Sequence, residues 1–205
     1  NKYPRSEGEI VNQDTLRKYF KDTGAEELQE WGNIQVPKFL SSKRVILSEG
    51  IFVIDGTHIE VPDNKNYEKA QYVPLDSNHR YVDVAKLPED QAKKFKLTLC
   101  YKMVNLLHLS RDKNYFTFMG TKIAGGRTHD KVLGKKLVDD FVKKVGKGKI
   151  KLLILDRGFL DGEMIATFKN SYGIDVLIPL KKNMAAHLDA KGLSRLEDKP
   201  WKRVD

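Results

Sequence analysis

Residues 150–160, IKLLILDRGFL, constrain the fold of this chain more than any other stretch. So short an apolar run, carrying the branched Ile150 and Ile154, reads as a strand buried on both faces. Asp156 stands at its carboxyl end, followed by Arg157 and Gly158. That is where open α/β sheets place ligand chemistry. A second such place lies far upstream in IFVIDGTHIEV (51–61), where Asp55 interrupts another apolar run. A fold that joins these two strand ends joins two carboxylates.

The segments between them predict how that happens. Residues 1–12 form a polar lead-in, and two short helices come after it: one from Asp14 as N-cap, the other over 25–31, stopped by Gly32. Residues 43–61 hold the first strand, with a hairpin-like start turning at Ser48-Glu49-Gly50. Residues 62–96 lose periodicity and gain charge and proline, which reads as a long solvated excursion carrying Lys65, Lys69, His79 and Arg80. KLTLCYKMVNLLH (96–108) predicts a strand with Leu97, Leu99, Tyr101 and Met103 in alternation. Turn residues at 111–114 lead to an antiparallel partner over 115–123, ended by Gly125-Gly126.

A helix capped by Thr128 or Asp130 comes next. Leu133, Leu137, Val138, Phe141, Val142 and Val145 form its apolar stripe, Lys135, Lys136, Lys143 and Lys144 belong to its basic face, and Gly146 stops it. Beyond the strand at 150–155, a helix from Asp161 to Tyr172, closed by Gly173, and a strand at 174–180 complete the pattern β-β-β-α-β-α-β. Right-handed crossovers then set the strand at 150–155 beside that at 51–61, in a five-stranded mixed sheet. This topology and acid placement match the ribonuclease H-like fold, an α/β class, which is the expected architecture. The domain reading is a helical N-terminal segment (1–42) and a ribonuclease H-like core (43–205).

Charge narrows the partners. The 37 Lys and Arg against 28 Asp and Glu give a net charge of +9, which favours a polyanion because each neutralised phosphate releases a counterion. The single cysteine, Cys100, excludes a disulfide framework and a thiolate zinc cluster and points to a reducing, intracellular compartment. Carboxylates on adjacent strands repel unless a cation lies between them. Mg²⁺ takes oxygen ligands and keeps several waters. Two such ions ~3.5–4 Å apart can activate a water or 3′-hydroxyl at a phosphodiester. The plainer alternative makes Asp156-Arg157-Gly158 a turn and Asp55 a capped bend.

Three stretches carry a resemblance: IFVIDGTHIEV, the GGRTHD that opens the first long helix, and LILDRGFLDGEMIATFKNSYGIDVLIPLKKN. Over about residues 45–183 the chain resembles DDE transposases of the bacterial insertion-sequence type. The resemblance implies metal-dependent DNA strand cleavage and transfer at transposon ends, with Asp55 and Asp156 as catalytic metal ligands. It implies Mg²⁺ with Mn²⁺ as substitute, double-stranded DNA (transposon ends and target) as partner, an active homodimer, and a cytoplasmic, nucleoid-associated prokaryotic setting. His129-Asp130 matches the family's helix-opening pair, and helix capping accounts for Asp130. Arg157, Lys181 and Lys182 are expected DNA contacts, while Thr57 and His58 read as strand residues.

The third acid departs from the family pattern, which places a glutamate on a helix after the last strand. Glu197, three residues before Pro200 and outside a convincing helix, fits poorly, so the missing ligand is expected beyond Asp205 and the core is read as truncated there. Such a fragment need not be active alone. A non-catalytic DNA-binding remnant and a ribonuclease H-like nuclease stay open as alternatives. A sugar-kinase-like phosphate loop at Asp55-Gly56-Thr57 is disfavoured because no residue separates Asp from Gly and no second adenosine-binding half is present.

Overall fold

A computed structural model of the chain describes residues 12–43, 49–64, 66–78, 80–109 and 116–196. In chain order the elements are helices α1 (Gln13–Asp22) and α2 (Ala25–Ser42), strands β1 (Gly50–Glu60) and β2 (Gln71–Pro74), and the short helix α3 (Glu89–Ala92). Next come strands β3 (Leu97–Leu109) and β4 (Phe116–Gly125), helix α4 (Asp130–Val145) and strand β5 (Ile150–Leu155). Helix α5 (Gly162–Tyr172), strand β6 (Asp175–Leu177) and helix α6 (Ala185–Ser194) end the described chain. None of the described helices is long and apolar enough to cross a membrane.

β1 occupies the middle of the sheet. It pairs antiparallel with β3 and parallel with β5; β4 pairs antiparallel with β3, and β6 parallel with β5. The resulting order β4–β3–β1–β5–β6 is the expected ribonuclease H-like arrangement. One correction concerns size: the sheet has six strands rather than five. The sixth, β2, lies in the segment read as a solvated excursion. Cys100 pairs with Glu60 on one side and Gln71 on the other, so β2 and β4 share the outer edge of β3 end to end. β2 has four residues, of which only Val73 and Pro74 are buried, too short a pattern to declare itself.

The helices show where local signals rule and where packing overrides them. α5 obeys them: the Asp161 carboxylate accepts from Met164 N at 3.0 Å, and Gly173 closes the helix at φ 72°. α1 begins two residues earlier than expected, because Asn12 rather than Asp14 is its cap and accepts from Asp14 N at 2.8 Å. α2 does not stop at Gly32; it runs through Pro37 to Ser42. A proline inside a helix forfeits a backbone hydrogen bond and costs ~3 kcal/mol. Packing of α2 against β4 and α4, with Asn33 and Pro37 buried, offsets that cost.

The core lies between α4, α5 and one face of the sheet. Phe52 and Ile54 from β1, Val104 and Leu106 from β3, and Leu153 and Leu155 from β5 meet Leu137, Val138 and Phe141 of α4 and Phe168 of α5. In β3 the other alternation turns to this core. Cys100, Lys102, Val104, Leu106 and His108 face inward, while Tyr101 and Met103 are half-buried on the other face. The first run of the expected hairpin, with Ser48 of its turn at Ser48-Glu49-Gly50, and the turn at 111–114 lie outside the described residues.

Candidate active site

The parallel register of β1 and β5 sets Ile54 opposite Leu155. The next residue in each chain is an aspartate, so Asp55 and Asp156 leave neighbouring strands at the same level. Phe52 and Ile54, like Leu153 and Leu155, point into the core. Alternation therefore gives both aspartates to the opposite face, and both are exposed. Asp55 Oδ1 accepts from Gly56 N at 2.9 Å and Asp156 Oδ1 from Gly158 N at 2.8 Å. Neither carboxylate is ion-paired to a side chain among the described residues.

Each aspartate is held by its neighbours downstream in the chain. Asp156 opens a 3₁₀ turn, Arg157–Phe159, whose Phe159 is 1% exposed and packs on α4. A Cβ on Gly158 would lie 3.0 Å from Asp156 Oδ1, so glycine lets the carboxylate fold over its own turn. Asp55 pairs with Asn105 on β3, but β5 has ended, so this part of β1 has no strand on its other side.

The start of α4 lies over Gly56, on the face opposite Asp55. Here the capping expectation is corrected: the His129 ring, not Asp130 or Thr128, caps the helix, its Nδ1 accepting from Lys131 N at 3.3 Å. Asp130 instead meets Lys102, with Nζ 2.7 Å from Oδ1. Burial lowers the Lys102 pKa, while the negative charges of Asp156 and Asp55 oppose that shift. His58, the Cα partner of Lys102, makes a 3.0 Å hydrogen bond from Nε2 to the Gly126 carbonyl. Its pKa is lowered by burial and by the Lys102 charge. A cleft of about 490 Å³ opens beside these groups, lined by His58, Tyr81, Lys102, Arg127, His129 and Asp130 among others.

The structure also places the other expected residues. Arg157 is exposed beside Asp156. Lys181 and Lys182 are exposed and come after β6, which runs parallel to β5, so they lie toward the sheet end where Asp156 emerges. Thr57 is exposed on β1, and Lys69 pairs with Glu26. Lys65, His79 and Glu197 lie outside the described residues. Among the described residues no three of His, Cys, Asp and Glu are grouped to hold a metal ion. Lys102 is the residue that sequence reading missed. Its signal was a lysine in register with Cys100, Val104 and Leu106.

Residues 47–205 match the family described as Transposase DDE domain. No curated protein matches the chain. Among solved structures, the cryo-EM structure of a piggyBac transposase synaptic complex with hairpin DNA is similar at 15% identity and a TM-score of 0.43, over 92% of this chain and 33% of that one. A Mos1 transposase paired-end complex with the left transposon end is similar at 11% identity and a TM-score of 0.32, over 91% of this chain and 62% of that one. The chain thus spans a third of the first protein and under two thirds of the second.

Proposed function

This chain belongs to the DDE transposase family, and on that premise we propose that it is a transposase catalytic core. Its reaction would be cleavage of a DNA strand at a transposon end and joining of the freed 3′-hydroxyl to target DNA. One observation carries the reading: Asp55, midway along β1, and Asp156, just past the carboxyl end of β5, emerge side by side on one face where the parallel pairing of the two strands ends. The core is assigned to residues 43–205, with 1–42 as its helical N-terminal segment.

DDE transposases generally use divalent metal ions. The residues here fit one. Two neighbouring exposed carboxylates offer hard oxygen donors, and no cationic side chain among the described residues is in contact with them. Asp55 and Asp156 would hold Mg²⁺, with Mn²⁺ as substitute. When bound, the ion supplies activation of the attacking oxygen and neutralises charge at the phosphodiester.

The chain's own residues do the rest. β3 and Gly56 fix the backbone of Asp55, and the buried Phe159 fixes the turn that carries Asp156. Arg157, Lys181 and Lys182 contact DNA phosphates near the sheet end where the acids lie, which sets register without reading sequence. The net charge of +9 adds general attraction to DNA. The active state is a homodimer on double-stranded transposon ends and target.

In the full-length protein, Asp55→Asn and Asp156→Asn should each abolish strand cleavage while leaving DNA affinity and melting temperature in place. Cleavage at the wild-type rate in either variant rejects the assignment. The second reading is a DNA-binding remnant; among the described residues no third acid is grouped with Asp55 and Asp156. It requires that the full-length protein bind DNA and never cleave it.

A further inference from the structure

We propose that the Lys102–Asp130 ion pair positions the acidic site, by holding the backbone at Asp55-Gly56 so that the two aspartates face one cation. This rests on the reading of Asp55 and Asp156 as metal ligands.

Lys102 sits on the core face of β3 with its side chain 9% exposed. An ammonium buried so far is costly unless paired. Its partner is Asp130, the first residue of α4, at 2.7 Å. That carboxylate rests directly on Gly56. A Cβ on residue 56 would lie 2.8 Å from Asp130 Oδ1 and 2.9 Å from Cγ. The chain is thus stacked in order: β3 through Lys102, then Asp130 at the start of α4, then Gly56, the residue after Asp55.

The location gives this stack its consequence. β1 loses β5 as a neighbour at Ile54, just before Asp55. From there β3 is the one strand paired with it among the described residues, Gly56 N donates to Asp55 Oδ1, and the Asp130 carboxylate bears on Gly56. Asp55 itself points to the opposite face, so Lys102 and Asp130 act through the backbone and are positioning residues. Two neighbouring ligands hold an ion well only when their spacing is set beforehand, and outer partners of ligands commonly set it.

Charge must be separated from position in the test. Removing Lys102 alone leaves Asp130 uncompensated, and the added negative charge would itself draw a cation. Lys102→Met combined with Asp130→Asn keeps the net charge unchanged. Mn²⁺ is titrated calorimetrically into the full-length protein, into this double variant, into Asp55→Asn, and into Val142→Ala, a core change at the far end of α4 that lowers stability alone.

Wild type and Val142→Ala should bind alike, Asp55→Asn should lose binding, and the double variant should bind about tenfold more weakly. Binding by the double variant within about twofold of wild type overturns the inference and leaves the metal-site reading standing. Mn²⁺ binding that is absent in wild type, or indifferent to Asp55→Asn, overturns both. Should the double variant not fold, Gly56→Ala drives the carboxylate off the backbone with Lys102 kept. It should show the same weakening, and wild-type affinity there also overturns the inference.

Discussion

Gly134 of α4 lies flush against the ring of Phe159. A Cβ at residue 134 would stand 2.6 Å from Phe159 Cε1 and 3.6 Å from Ile54 Cγ2. Ile54 precedes Asp55, and Phe159 closes the turn that Asp156 opens. One close approach therefore ties both acid-bearing segments to the same helix.

The contact can be tested against helix propensity, which pulls the other way. Alanine is the better helix former by ~1 kcal/mol, so an unconstrained Gly134→Ala should stabilise. Overpacking against a fixed aromatic ring costs ~1–3 kcal/mol. The expected outcome is net destabilisation in urea unfolding, largely recovered when Phe159→Leu is added to make room. A stabilised Gly134→Ala variant would show that the ring yields and that the turn of Asp156 is not pinned there.

Asn33 makes a second testable clamp, between α2 and the edge of the sheet. Its Nδ2 donates to the Thr121 carbonyl at 2.6 Å, and Thr121 N donates to its Oδ1 at 2.8 Å. The side chain thus satisfies both backbone groups of one β4 residue from a position 6% exposed. Asn33→Ala should cost ~1–3 kcal/mol, since a buried donor and acceptor lose their partners together. An uncovered strand edge invites pairing with another chain, so light scattering should also rise with concentration. A loss below about 0.5 kcal/mol would mean that water serves Thr121 equally well.

Legibility tracked the reach of the interactions. β5, α4 and α5 declared themselves because their signals are local: a short apolar run, a stripe at helical spacing, Asp161 and Gly173 at the ends of α5. The adjacency of Asp55 and Asp156 was readable too, since crossover rules leave few places for β5 once three antiparallel strands are given. α2 reads short because Gly32 and Pro37 are local stop signals, overridden by burial against β4 and α4. β3 is apolar on both alternations, so nothing in its sequence says which set faces the core. Lys102 was hidden by that ambiguity. Asp130 was hidden by a position equally suited to capping, and only the folded chain shows that His129 caps and Asp130 pairs.

The histidines give the molecule a pH dependence of definite sign. His108 is 8% exposed, its Nδ1 is buried without a hydrogen-bond partner among the described residues, and burial lowers its pKa. His58 is lowered by burial and by the Lys102 charge, against the Gly126 hydrogen bond that raises it. With folded values below the ordinary 6.5, the unfolded chain binds more protons than the native chain in the window beneath that value. Stability therefore rises with pH across the window and falls as pH drops from 6.5 toward the folded values. Asp161 and Asp175, held low by Lys131 and Lys169, lose their contribution only in the more acidic carboxylate range. The melting temperature should accordingly decline between about pH 7 and about pH 5, and His58→Gln with His108→Gln should flatten that decline while sparing the more acidic one. An equally steep decline in the double variant would assign it to other groups.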